Sequence, residues 1–344
     1  LGTLISTFWI LSANSWLHTP AGFEMVGDMF HPVSWWQIIF NPSFPFRLAH
    51  MVLAAFITTC FVIGGAGAWY LRRGDHIEAG RRMLRLAVAF AAITVPLQIV
   101  VGDFHGLATS EYQPTKLAAM EGHWHHGEPG AGVPLVVFGV PDEANERNNF
   151  EVAIPRLGSV ILTHSLDKQV PALKDFPPED RANSTIVFWT FRIMVAMGLM
   201  MIFVGLWGTW LRRGERLYTC RPFLHLAVWM GPSGIIAILA GWYTTEIGRQ
   251  PWIIHGLMRT ADASSGHSAT QLGITLVLFV VVYFALFGAG ISYVMRLVRK
   301  GPQLQEGDEM SQGGPGTSRT PARPLSAADE GMEDGETDTL PERS

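Results

Sequence analysis

The chain of 344 residues is 48% hydrophobic and 16% charged, whereas an ordinary soluble domain carries about 25% charged residues. That balance excludes a wholly disordered chain, a small secreted disulfide scaffold and a nucleic-acid binder. The formal net charge of −4 hides a split: from Glu306 to Arg343 ten acidic residues face three arginines, so the tail carries −7 and the remainder +3.

Apolar segments fall at about 1–17, 46–71, 84–102, 186–211, 222–245 and 269–295. No Asp, Glu, Lys or Arg occurs from Met51 to Leu71, from Ile193 to Leu211 or from Ala263 to Met295. Roughly 20 residues rising 1.5 Å each match the ~30 Å hydrocarbon core of a bilayer. The predicted fold is therefore all-α, a polytopic membrane bundle with six transmembrane helices. Residues 1–102 hold the first three, 103–185 a long loop and 186–300 the last three. Residues 301–344, rich in Gly, Pro, Ser and acids, are predicted to be disordered, because they cannot bury enough apolar surface to offset their ordering entropy.

Sidedness follows from the basic residues, which concentrate in short cytoplasmic loops. Arg72, Arg73, Arg81, Arg82 and Arg85 separate the second and third segments; Arg212, Arg213, Arg216 and Arg221 separate the fourth and fifth; Arg296, Arg299 and Lys300 follow the sixth. The loop at 103–185, with twelve acids against six bases, is then external, and the tail cytoplasmic. The first segment begins at Leu1 with no initiator Met and no basic flank, so it reads neither as a signal peptide nor as a natural start. The expectation is a fragment preceded by further membrane segments. Cys60 and Cys220 lack haem-attachment or zinc spacing and read as inert thiols.

Ionisable and metal-liganding residues inside a membrane are costly and mark candidate sites. His50 lies about 33 Å along a helix from Arg72, Met194 about 27 Å from Arg212, and Glu246 about 37 Å from Arg221. All three fall near the outer boundary. His50 and Met194 at similar depth suit the two axial ligands of one haem, a pairing that raises its potential, although an interfacial His or a core Met is ordinarily structural. In Gly241-Trp-Tyr-Thr-Thr-Glu-Ile-Gly-Arg-Gln-Pro-Trp252, Trp242 and Glu246 share a helix face. Gly248 and Pro251 would end that helix, leaving Arg249 able to hold a carboxylate such as a haem propionate.

Six motifs occur in order: Phe8-Trp-Ile-Leu-Ser-Ala-Asn14, Arg47-Leu-Ala-His50, Ala68-Trp-Tyr70, Thr115-Lys-Leu-Ala-Ala-Met-Glu121, Phe191-Arg-Ile-Met194 and Gly248-Arg-Gln-Pro-Trp252. With them residues 1 to about 300 resemble subunit I of the cytochrome bd quinol oxidases, in the short-loop, cyanide-insensitive-type branch. The resemblance implies that His50 and Met194 ligate a low-spin b haem, with Arg192 stabilising its reduced state. It implies that Glu246, with Trp242 and Arg249 beside it, serves a high-spin b haem, and that Lys116 and Glu121 form the quinol-oxidising pair of the external loop. A third haem, of d or b type, would take its histidine from helices outside this sequence, since the family has nine. Ser6 and Asn14 match polar residues on a proton path, although hydrogen bonding back to the helix is the commoner role for such residues. The implied partners are subunit II, possibly with a small single-span subunit, together with quinol, O2 and the lipid of a bacterial cytoplasmic membrane. The implied reaction oxidises quinol outside and reduces O2 to water, generating proton motive force without a pump.

His123, His125 and His126 in Gly122-His-Trp-His-His-Gly127 resemble a metal patch, but three imidazoles on an exposed loop are more often incidental and no metal is assigned. Two alternatives to the oxidase stand: a haem-free transporter or channel gated by Glu246 and Arg249, or an assembly subunit that has lost activity.

Overall fold

The structure is a computed structural model that describes residues 2–27, 29–127, 130–263, 266 and 268–302. The acidic tail therefore lies outside the described residues from 303 onward. In chain order the elements are α1 (Gly2–His18), β1 (Phe23–Val26), β2 (Met29–Pro32), α2 (Trp35–Ile39), α3 (Phe44–Arg73), α4 (Ile77–Tyr112), α5 (Pro114–Glu121), β3 (Leu135–Asp142), β4 (Arg147–Ile154), α6 (Leu157–Thr163), α7 (Ser184–Leu211), α8 (Arg221–Trp229), α9 (Ser233–Ile247), β5 (Trp252–Ile254), β6 (Met258–Arg259) and α10 (Ala269–Lys300).

The helical bundle is the expected one. Among the described residues five helical stretches are long and apolar enough to cross a membrane: α3, α4, α7, α8 with α9, and α10. The first expected segment forms α1, whose 17 residues rise about 26 Å. The fifth is broken at Met230-Gly231-Pro232, because Pro has no amide hydrogen to continue the ladder. The third runs past its apolar stretch to Tyr112 and stops where Pro114 follows Gln113, since the residue before a proline is pushed out of helical conformation. The long connection thus begins at Gln113. It carries an antiparallel pair, β3 with β4, that an all-α description omits, and two shorter antiparallel pairs lie in other loops, β1 with β2 and β5 with β6.

Small residues let the spans approach closely, the usual device where lipid removes the hydrophobic drive between helices. A Cβ on Gly64 would lie 2.9 Å from Ala87 Cβ, and one on Gly208 2.8 Å from Val88. These contacts draw α3, α4 and α7 around a core of Phe61, Leu84, Val88, Val204, Leu211 and Phe223. Helix α10 has no buried residue; it touches the bundle where the Tyr70 hydroxyl donates to the Val298 carbonyl at 2.7 Å.

Candidate functional site

The candidate residues gather at the end of the bundle where α1, α9 and the start of α3 meet the long connection. Helix α5 is the lid of this end. Proline at its first turn starts it and Gly122, at φ 70°, stops it, a left-handed cap that glycine adopts without a Cβ clash. Every residue from Lys116 to Glu121 is buried. Leu117, Ala118, Ala119 and Met120 supply apolar packing, so both ionisable groups are carried into a dry environment by their neighbours. Five residues apart on a helix, Lys116 and Glu121 diverge by about 140°. Accordingly they serve two different clusters.

Lys116 turns toward α1 and α9. Its Nζ donates to Gln113 Oε1 at 2.5 Å and lies 3.0 Å from His18 Nδ1. His18, fully buried, places Nε2 3.9 Å from Glu246 Oε1. Glu246 also accepts from Asn14 Nδ2 at 2.7 Å and from an Arg249 guanidinium nitrogen at 2.6 Å, and Arg249 reaches the Ile253 carbonyl as well. Buried Arg47 approaches Asn14 Oδ1 at 3.5 Å, while its Nε and that of Arg249 have no hydrogen-bond partner. A Cβ on Gly248 would meet Lys116 Cγ at 2.9 Å, so glycine there lets the lysine stem cross the end of α9. The outcome is a row of polar side chains from α5 to Glu246 inside an apolar bundle, hydrogen-bonded as far as His18, whose Nε2 faces Glu246 across 3.9 Å without a hydrogen-bond partner.

Glu121 turns toward α7. Its Oε2 is buried without a hydrogen-bond partner and stands 3.9 Å from an Arg192 nitrogen. The Arg192 guanidinium lies 3.4 Å above the Phe188 ring and donates to the carbonyls of Met120 and Val136, at 2.5 Å for the first. One arginine of a membrane helix thus clamps α5 and β3 together.

His50 and Met194 stand at one level. Thr58 of α3 packs on Gly234 of α9; from that contact His50 is about 12 Å along α3 and Gly241 about 10 Å along α9, in the same direction. A Cβ on Gly241 would lie 2.8 Å from Met194 Sδ. The His50 ring lies beside Gly102, whose Cβ would be 3.5 Å from Cε1, and 5.5 Å from the His105 ring. His50 Nδ1 is buried with no hydrogen-bond partner.

Burial governs the charges of the lid. It pushes the Lys116 ammonium well below the ordinary lysine value, helped by nearby Arg47 and opposed by Glu246. It raises the Glu121 carboxyl, opposed by Arg192. Both groups are therefore biased toward their neutral forms. Burial likewise holds His123 at about 4; its Nε2 donates to the Pro134 carbonyl at 2.9 Å, whereas His126 pairs with Asp175 at 2.8 Å. The two histidines tie down different segments of the connection, one just before β3 and the other near residue 175.

Trp242 is exposed and stacks on Tyr243, and Ser6 is exposed on α1, so neither touches the polar chain. His18, Gln113 and Arg47 were not singled out from sequence as site residues. Arg47 opens the Arg47-Leu-Ala-His50 motif and Gln113 stands two residues before Thr115-Lys-Leu-Ala-Ala-Met-Glu121, whereas His18, at the end of an apolar segment, belongs to neither.

The sequence family described as cytochrome bd terminal oxidase subunit I matches residues 1–302. The cytochrome bd-II ubiquinol oxidase subunit 1 of Escherichia coli (strain K12) is 29% identical over 378 residues, covering 90% of this chain and 73% of that protein. The cytochrome bd ubiquinol oxidase subunit 1 of Bacillus subtilis (strain 168) is 30% identical over 320 residues, covering 88% and 66%. The solved structure of the bd oxidase from Geobacillus thermodenitrificans matches with a TM-score of 0.79 at 32% identity, covering 88% of this chain and 68% of that one. The chain thus spans about two thirds to three quarters of these relatives.

Proposed function

The chain belongs to the cytochrome bd terminal oxidase subunit I family, and from that premise we propose that it is the haem-binding subunit of a membrane oxidase that oxidises quinol and reduces O2 to water. The observation that carries the proposal is the buried polar chain running from Lys116 through Gln113 and His18 to Glu246, since a bundle this apolar retains such a chain at a cost. Family membership favours this function over a haem-free transporter or an inactive assembly subunit.

The residues fit haem. His50 offers a buried imidazole whose Nδ1 lacks a partner, and Met194 lies at its level on α7. Arg47 and Arg249 carry unpaired, buried Nε atoms suited to propionates. His50 and Met194 would hold the low-spin b haem, and Glu246, with Trp242 and Arg249, a high-spin one, a further b or d haem completing the set. Bound haem supplies one-electron transfer and the reduction of O2.

Quinol oxidation releases two electrons and two protons. A neutral Lys116 Nζ can accept a hydrogen bond from a quinol hydroxyl, and Glu121, whose carboxyl is raised by burial, is once ionised a stronger base than an exposed carboxylate. Gln113 and His18 fix the lysine, and Arg192 fixes the carboxylate's end of α5. With the loop outside and the arginine-rich turns inside, protons leave outside and are drawn from inside, so turnover is electrogenic without a pump. Subunit II, and a small single-span subunit where present, complete the complex in a bacterial cytoplasmic membrane.

The test uses the assembled complex of the full-length subunit. A b-type α band after dithionite and quinol-dependent O2 uptake are expected; a folded complex with neither would sink the proposal. His50→Ala removes the low-spin signal. Lys116→Ala and Glu121→Ala lower quinol oxidation at least tenfold and spare an artificial donor, and equal loss with both donors argues against quinol at α5.

A further inference from the structure

The β3–β4 hairpin carries an apolar face that is largely uncovered among the described residues. Phe138 and Val152 are cross-strand partners, as are Leu135 and Ile154, so each pair projects to one side of the ribbon. Val152 is 59% exposed, and Phe138 and Ile154 are nearly half exposed. Between Phe138↔Val152 and Val140↔Asn149 the register advances two residues on β3 and three on β4, which is a bulge. Within it Phe150 takes φ 54°, a left-handed conformation that costs any bulky non-glycine residue. The conformation gains Phe150 no cover, because its ring is 84% exposed. A bulge re-aims side chains, and this one aims a phenylalanine away from the protein.

The same face continues onto a membrane span. Phe138 meets Trp189 of α7 edge-on at 5.3 Å between ring centroids, and the Thr185 hydroxyl donates to the Pro141 carbonyl at 3.2 Å. Ile186 and Ile193, on the flank of α7 next to Trp189, are exposed. Two of the hairpin's acids are drawn off it, Glu143 accepting from the Ser184 hydroxyl at the start of α7 and Glu146 pairing with Arg181 and Lys174, while Asp142 and Glu151 accept from Asn145, Asn149 and Asn148 within the hairpin.

From this geometry we infer that the hairpin face formed by Phe138, Phe150, Val152 and Ile154 is a membrane-contact surface, seated on the acyl chains of the leaflet at the loop end of the bundle. Amphipathic surfaces bind at that depth by burying apolar area beneath the headgroups. The contact also sets α5 against the bilayer. Asn148 of β4 donates to the Gly122 carbonyl at the end of α5 at 2.9 Å and accepts from Trp124 Nε1 at 2.9 Å. The hairpin therefore stands as the lipid-side wall of the approach to α5 for a long-tailed quinol. That consequence rests on quinol oxidation at α5; the lipid contact does not.

The test is nitroxide labelling of the assembled oxidase complex in lipid nanodiscs. Phe150→Cys and Val152→Cys are made separately, with Asn145→Cys at the hairpin turn as a reference, in a Cys220→Ser background; Cys60 is buried. At 150 and 152, collision with O2 is expected to exceed collision with a water-soluble nickel chelate several-fold, and the order reverses at 145. A nickel-dominated signal at both apolar positions means a water-facing hairpin and overturns the inference. Exclusion of both colliders means a partner subunit or a second copy covers the face, and overturns it equally. Quinol:O2 turnover of the same samples is read in parallel, so failure of the quinol function is distinguishable from failure of the lipid contact.

Discussion

Asn14 donates its side-chain amide to Glu246 at 2.7 Å, joining residues 232 apart in sequence. The bond fixes α1 against the end of α9 and gives Glu246 a donor on the side opposite Arg249. A hydrogen bond to a charged group contributes about 1.5–3 kcal/mol. Asn14→Leu removes it without much change in volume, and a loss of about that size is expected in the unfolding free energy of the complex, with a fall in quinol oxidase turnover. Asn14→Asp puts a like charge beside Glu246 and is expected to be worse than Leu. The ordering Asp below Leu below wild type, in both thermal unfolding and O2 uptake, checks the assignment; Asp equal to wild type contradicts it.

His18 lies between Lys116 and Glu246, its Nδ1 3.0 Å from the amine and its Nε2 3.9 Å from the carboxylate. His18→Phe fills the site but breaks the polar chain, leaving the Lys116 amine with Gln113 alone. Turnover with quinol is expected to fall about tenfold or more, since one unsatisfied buried polar group costs about 1–3 kcal/mol. His18→Gln restores part of the loss. The readout is the ratio of quinol-driven to artificial-donor-driven O2 uptake, which a purely structural defect would leave unchanged.

Gly241 leaves the space that Met194 Sδ fills. Gly241→Ala puts a Cβ 2.8 Å from that sulfur, so the thioether must shift. If Met194 is an axial ligand, the reduced low-spin spectrum of Gly241→Ala moves toward that of Met194→Leu. An unaltered spectrum in both variants removes Met194 from the haem.

Much of the bundle was legible because membrane spans announce themselves by uninterrupted apolar runs, and α3, α7 and α10 contain such runs. The ends were less legible. Residues 103–112 continue α4 with Asp103 and Glu111 inside it, so hydropathy stops before the helix does, and only Pro114 marks the true end. The hairpin β3–β4 escaped because Val-Val-Phe-Gly-Val reads as one more apolar patch in a loop, without a clean alternation. At the site, depth from the arginine turns placed His50, Met194 and Glu246, since it needs only a rise per residue. It could not place His18 or Gln113, whose roles arise from contacts between α1, α5 and α9 that no local pattern encodes.

His123 carries a pH dependence of the connection. Its folded value of about 4, against an ordinary 6.5, has burial as its main cause. Between these values the unfolded chain binds a proton that the folded one does not, so stability is intact above about pH 6.5, falls as pH drops toward 4, and falls no further below. The span corresponds to about 3 kcal/mol at most. Melting curves of the complex at pH 7 and pH 4.5 should differ more for wild type than for His123→Gln, whose amide can still donate to Pro134. An equal difference in the two proteins locates the acid sensitivity elsewhere.

Arg192 is the residue whose geometry and expected role invite separation. Its guanidinium reaches carbonyls on two segments, Met120 of α5 and Val136 of β3, and lies 3.9 Å from Glu121, two residues before Met194. Arg192→Lys keeps the positive charge but loses the planar fork that bridges two acceptors. If the arginine acts only by its charge on a haem held by Met194, the lysine variant keeps both the midpoint potential and the Michaelis constant for quinol. If it also clamps the lid, the lysine variant keeps the potential, raises the Michaelis constant several-fold and accelerates amide exchange in residues 118–124 and 135–140. We expect the second pattern, because the clamp is built from hydrogen bonds that a single ammonium cannot duplicate. A variant with a shifted potential and an unchanged exchange rate would leave the charge as the whole of its role.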